Sequence, residues 1–154
     1  MPDLLLGIGT VKTAEHASQF LSAGADILVS PVFDNSVCDV AYMNKTLWIP
    51  GCMTPTEIHV AEIAGCRMIK LFPGNTLKTS FIEAIKPLYP KLDFVVTGGV
   101  EINRENIAAW FKAGASAVGM GSKLITNKML ESKKFNELTE ITKDALLLVK
   151  RSKN

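Results

Sequence analysis

The sequence predicts an α/β fold built on a parallel sheet, and three observations predict it. An amphipathic helix ending in Ala-Gly and followed at once by a short β-rich run occurs three times: FLSAGADILVSP, AEIAGCRMIKLFP and FKAGASAVGMGS. The runs after the glycine are almost continuously apolar, as parallel strands covered on both faces are. The polar and glycine-rich residues then gather at the C-terminal ends of these runs, where parallel α/β folds bind their ligands.

Taken in order, the strands are expected at 4–10, 26–31, 47–51, 67–72, 93–98 and 116–121. Helices fill the gaps at about 13–22, 36–44, 55–64, 78–88 and 103–112, and a last one at about 133–151 carries LTEITKDALLLVK. Thr54-Pro55 sets an N-cap and first turn, and Asn103 caps RENIAAWF. Glu57 reads as the acid of a helix N-terminus. Gly24, Gly65 and Gly114 are placed to end helices in the left-handed conformation. No linker or low-complexity segment divides residues 1–154, so one domain is expected.

Composition excludes several classes. The 154 residues are 47% hydrophobic and 21% charged with a net charge of +2, which fits a globular chain with a core. The basic residues cluster only in the terminal KRSKN, a solvated helix end, and there is no basic stripe of the kind nucleic acid requires. No run approaches the ~18 apolar residues of a membrane span. The N-terminal MPDLLLGIGTV lacks the basic region of a signal peptide. Three cysteines, with no C-x-x-C pair and no nearby histidine, argue for buried free thiols in a reducing cytoplasm rather than a disulfide framework or zinc site. His16 and His59 read as surface residues.

Lys70 stands out. It interrupts the apolar strand RMIKLF, and lysine is among the residues least often buried. Alternation sends Met68, Lys70 and Phe72 to one face and Ile69 and Leu71 to the other. Pro73-Gly74 ends the strand, which puts Lys70 near the mouth of the fold. Partial desolvation lowers a lysine pKa, and a neutral amine can attack a ketone to form a Schiff base. A lysine that snorkels to the rim or pairs with an acid is the other reading.

Thr97-Gly98-Gly99 and Gly119-Met120-Gly121-Ser122 close the last two strands. Glycines there let backbone N–H groups approach an anion, and hydroxyls add donors. They make either a phosphate cradle or tight turns. Thr10, after Gly7-Ile8-Gly9, is either a helix N-cap or a substrate contact. The Gly-x-Gly is no dinucleotide fingerprint. Cys52 has no histidine partner to make it a nucleophile.

Six elements in fixed order, GIGTV (7–11), AGADILVSP (23–31), IPGCMTPTE (49–57), IKLFPG (69–74), VTGGV (96–100) and VGMGS (118–122), resemble the 2-keto-3-deoxy-6-phosphogluconate (KDPG) / 4-hydroxy-2-oxoglutarate (KHG) aldolase family. The resemblance runs from about residue 4 to the end. It implies a TIM (β/α)8-barrel, a trimeric assembly, and class I aldolase chemistry without metal or cofactor on a small keto-acid sugar phosphate. It implies Lys70 as the Schiff-base lysine, with Phe72 beside the imine and Thr10 and Pro31 around the pyruvyl portion. Thr97, Gly98, Gly99, Gly121 and Ser122 would hold the phosphate.

Against that family the sequence holds about six βα units. The first two, with the family's general-base glutamate and a nearby arginine, precede GIGTV in relatives and have no counterpart here. A fragment or truncated product, a partner chain that completes the barrel, and a different closure of six units are the possible accounts, in that order. Without the glutamate, acid–base help worth typically about 10²–10⁴-fold is lost, so imine formation with poor turnover is expected.

Overall fold

The structure, a computed structural model, describes residues 4–153. It is an α/β fold with parallel strands, and its strands fall at each of the six predicted places. By contact density the chain falls into two compact units. One runs through Phe72 and takes in Lys91–Asp93; the other holds Pro73–Pro90 and the chain from Phe94 onward.

The first unit alternates β1 (Gly7–Ile8), α1 (Ala14–Ser22), β2 (Ile27–Val29), α2 (Asn35–Met43), β3 (Leu47–Ile49), β4 (Gly51–Cys52), α3 (Pro55–Ile63) and β5 (Met68–Leu71). β1, β2 and β3 pair in parallel in that order, with Leu28 opposite Ile8 and Trp48. β4 pairs in parallel with β5, Gly51 opposite Lys70. The expected strand over 47–51 is thus two strands, because Pro50 has no N–H for a ladder. Its carbonyl still accepts from the Lys70 N–H at 2.8 Å.

Each helix of this unit begins on a side-chain cap, worth about 1 kcal/mol apiece. Thr13 Oγ1 accepts from the His16 N–H, and Asp34 accepts from the N–H groups of Ser36 and Val37. Thr54 caps α3 as expected, and with Glu57 it forms a reciprocal capping box. Gly24 and Gly65 follow α1 and α3 with φ of 96° and 86°. Their side-chain-free backbone is what lets the chain reverse and enter the next strand. Val11, Ala17, Leu28, Val37, Ala41 and Trp48 form a core, and the Trp48 indole N–H donates to the buried Ser30 hydroxyl at 2.7 Å. That bond satisfies two polar groups that would otherwise be costly to bury.

The second unit holds α4 (Gly74–Ile85), most of β6 (Asp93–Thr97), α5 (Arg104–Ala113), β7 (Ala117–Gly119), α6 (Asn127–Glu131) and α7 (Phe135–Ser152). β6 and β7 pair in parallel, Thr97 opposite Gly119. Asn103 caps α5 by accepting from the Asn106 N–H, and Gly114 ends it at φ 112°, both as expected. Phe94, Val96, Ile82 and Ile107 are fully buried.

Two expectations change here. The helix expected at 78–88 begins at Gly74, directly after Pro73, and is broken at Lys78, whose φ 62° and ψ 172° lie in a region essentially reserved for glycine. The short α6 was not foreseen: its six-residue context carries no apolar period, and a Thr126 cap starts it.

Candidate functional site

In the first unit the strand ends line up through their hydrogen bonds. The Val11 N–H donates to Val29 O at 3.2 Å, the Ser30 N–H to Ile49 O at 3.0 Å, and the Phe72 N–H to Cys52 O at 3.2 Å. Thr10, Pro31, Gly51 and Lys70 therefore stand at the C-terminal ends of successive strands. Gly51 is the spacer among them. A Cβ on it would lie 2.2 Å from the Pro31 carbonyl oxygen, so only glycine lets β2 and β4 approach this closely. Its cross-strand partner is Lys70.

Lys70 follows the alternation read from sequence. Ile69 and Leu71 are buried, while Met68 and Lys70 are half-buried. The ammonium Nζ lies 4.4 Å from the centroid of the Phe72 ring. Among the described residues no carboxylate pairs with it. Two effects then oppose each other. The ring face favours the cation; removal from water disfavours it. Burial wins, and the Lys70 pKa is pushed below the usual lysine value.

Thr10 is exposed and held at φ 62°, which is uncommon for a β-branched residue. It does not cap a helix, since Thr13 takes that place in α1. Of the two readings of Thr10, the N-cap is therefore corrected: the chain needs three more residues to turn from β1 into the helix. Glu57 is spent locally. Its Oε2 accepts from the N–H of Met53 and Thr54 at 2.8 Å and from the Thr54 hydroxyl at 2.9 Å. Burial raises its pKa, but these hydrogen bonds outweigh it and hold the carboxylate below its usual range. Cys52 is buried and its thiol is pushed up to about 12, chiefly by desolvation. That suits packing, not nucleophilic attack.

In the second unit, Thr97, Gly98 and Gly99 leave β6 in a turn with φ 80° and 82° at the two glycines. A Cβ on Gly99 would meet Asn75 at 2.7 Å, and one on Gly74 would meet the Gly98 carbonyl at 2.5 Å. The turn is thus pressed against the start of α4. The Thr97 hydroxyl oxygen is buried without a hydrogen-bond partner, an unspent group beside Gly119. Gly121 and Ser122 are exposed, and nothing lies within 4 Å of where a Gly121 Cβ would stand. Asn75 carries no functional motif in the sequence. Its only signal is its place directly after Pro73-Gly74. Among the described residues no group of three or more His, Cys, Asp or Glu side chains could hold a metal.

The model of the KDPG and KHG aldolases matches residues 1–141. The chain belongs to this family. Among curated KDPG and KHG aldolase relatives, 2-dehydro-3-deoxy-phosphogluconate aldolase of Treponema pallidum is 32% identical over 96% of this chain and 70% of its own length. The 2-dehydro-3-deoxy-6-phosphogalactonate aldolase of Escherichia coli is also 32% identical, over 78% of this chain and 58% of its own. A solved native KDPGal structure superposes with a TM-score of 0.83 at 27% identity, covering 97% of this chain and 72% of that one. The chain therefore spans about 58–72% of the length of these aldolases. No helix of the described residues is long and apolar enough to cross a membrane.

Proposed function

We propose that this chain is a class I aldolase polypeptide whose Lys70 forms a Schiff base with the ketone of a phosphorylated 2-keto-3-deoxy sugar acid. The observation that carries the proposal is Lys70 itself: a half-buried amine of lowered pKa, unpaired with any described carboxylate, in the IKLFPG element of an aldolase family. The neutral amine attacks C2, water leaves, and an iminium results. When the C4 hydroxyl loses its proton, the C3–C4 bond breaks and the iminium takes up the electron pair as an enamine. An aldehyde departs. Protonation and hydrolysis then release pyruvate and restore Lys70.

Phe72 packs beside the imine, and Thr10 and Pro31 line the pyruvyl portion. Thr97, Gly98, Gly99, Gly121 and Ser122 receive the phosphate. The six βα positions belong to a TIM-barrel architecture. The substrate is 2-keto-3-deoxy-6-phosphogluconate, yielding glyceraldehyde 3-phosphate, and/or 4-hydroxy-2-oxoglutarate, yielding glyoxylate. The 32% identity to a phosphogalactonate aldolase over 78% of this chain makes the C4 epimer a third substrate to assay. Glu57 and Asp34, two acids that follow strand ends in sequence, are each committed to a helix cap.

The test is pyruvate with sodium borohydride, followed by peptide mapping. A reduced pyruvyl adduct on Lys70, absent from Lys70→Met, is expected. A folded sample that binds sugar phosphates saturably but traps no pyruvate would replace this reading with a phosphate-binding module that does no chemistry.

A further inference from the structure

Two cysteines outside the strand-end residues share one cavity. Cys38 on α2 and Cys66, in the turn between Gly65 and β5, both line a cavity of about 210 Å³ in the first unit. Trp48 and Ala41 form its apolar wall, and Tyr42, Leu47 and Arg67 stand at its rim. Both cysteines are free and half-buried, so reagents of modest size can reach them. They come from separate elements, and each thiol perturbs the ionisation of the other. The Cys38 Sγ also lies 3.9 Å from the carbonyl oxygen of Ala64, two residues before Cys66. Cys52 does not line this cavity and is buried.

We propose that Cys38 and Cys66 form a dithiol–disulfide couple, oxidised by exchange with a low-molecular-weight disulfide. The Cys38 thiolate attacks one sulfur of the reagent, which leaves as a thiolate and takes up a proton. The protein now carries a mixed disulfide on Cys38. The Cys66 thiol loses its proton to solvent and attacks the Cys38 sulfur, and the second reagent thiol is expelled. Two electrons pass from the protein dithiol to the reagent, which becomes two thiols.

The order of attack follows from the effect of each thiol on the other. Cys66 favours the Cys38 thiolate, whereas Cys38 disfavours ionisation of Cys66. Desolvation pushes both thiols up, Cys66 to about 12. Thiolate is therefore scarce at neutral pH, and the oxidation is slow there and accelerates with pH. The bond would tie α2 to the entry of β5, the strand that carries Lys70.

The experiment treats the full chain with hydroxyethyl disulfide at pH 8.5, blocks remaining thiols with N-ethylmaleimide, denatures, labels again with iodoacetamide and maps the peptides. A Cys38–Cys66 linked peptide within one chain is expected, with Cys52 found only in the second labelling. The linkage should form at least about tenfold faster at pH 9 than at pH 7. In Cys38→Ser, Cys66 should react far more slowly than Cys38 does in the parent. Stable mixed disulfides on both cysteines, a link to Cys52 or between chains, or two unreacted thiols after full treatment would each overturn the proposal. The measurement does not involve keto acid, so it stands apart from the aldolase test.

Discussion

Lys70 is a balance between an apolar setting and a reactive amine. Its pKa lies below the ordinary lysine value because burial penalises the ammonium. The sign of the linkage follows. A lysine with a depressed folded-state pKa weakens the fold while it is protonated, and that penalty fades as pH rises through the folded pKa towards the unfolded one. Lys70→Met removes the charge and keeps an unbranched apolar stem. Its thermal midpoint at pH 7 should equal or exceed that of the parent, and the gap should close above about pH 10, near the unfolded lysine pKa. In the parent, the rate of pyruvate trapping should rise with pH, with its midpoint below that of an exposed lysine. Calorimetry across pH and borohydride trapping across pH check the two halves. A Lys70→Met protein less stable at pH 7 would mean that the amine is held by a partner it needs.

At the scale of elements, glycines decide where strands can meet. Gly51 passes so close to Pro31 that an added Cβ would lie 2.2 Å from its carbonyl oxygen, a backbone atom that cannot step aside. Gly121 has open space where its Cβ would be. Gly51→Ala should therefore cost about 3 kcal/mol, the upper part of the range for overpacking. Gly121→Ala should stay within about 0.5 kcal/mol, as surface substitutions do. Denaturant melts of the two variants make the comparison, and equal costs would refute the crowding at Gly51. Much of this scale was legible in the sequence. The strand positions, the caps at Thr54 and Asn103 and the helix-ending glycines were all read from local chemistry. The split of 47–51 at Pro50 followed from a missing N–H but needed the ladder with β5 to become visible. The early start of α4 and the kink at Lys78 were hidden, because nothing about a lysine announces a φ of 62°. Around the candidate site, Lys70 announced itself by type. Asn75 did not, because its importance is only that Gly99 rests against it.

For the molecule as a whole, several large apolar side chains stand exposed on the surface. In the first unit Leu4, Leu5 and Leu6 are 57%, 67% and 58% exposed and lead into β1, at the end of its three-stranded sheet. Asp26 fixes this approach by accepting from the Leu6 N–H at 2.8 Å, so the leucines are held rather than free to fold away. Tyr42, Met43 and Ile63 are 84%, 80% and 73% exposed on the same unit. A sheet-end strand with exposed backbone groups invites pairing, and apolar surface around it adds a driving force. Little opposes this, because a net charge of +2 supplies weak mutual repulsion. Self-association is therefore expected, with the trimer implied by the family resemblance as its specific form. Light scattering should give a mass well above the 16.7 kDa of one chain at micromolar concentration, falling on dilution. Because the force is apolar, raising the salt should strengthen the assembly rather than dissolve it. Leu5→Lys combined with Ile63→Lys should shift the population towards single chains. A monomer of 16.7 kDa at every concentration would show that these exposed side chains are tolerated singly and drive no assembly.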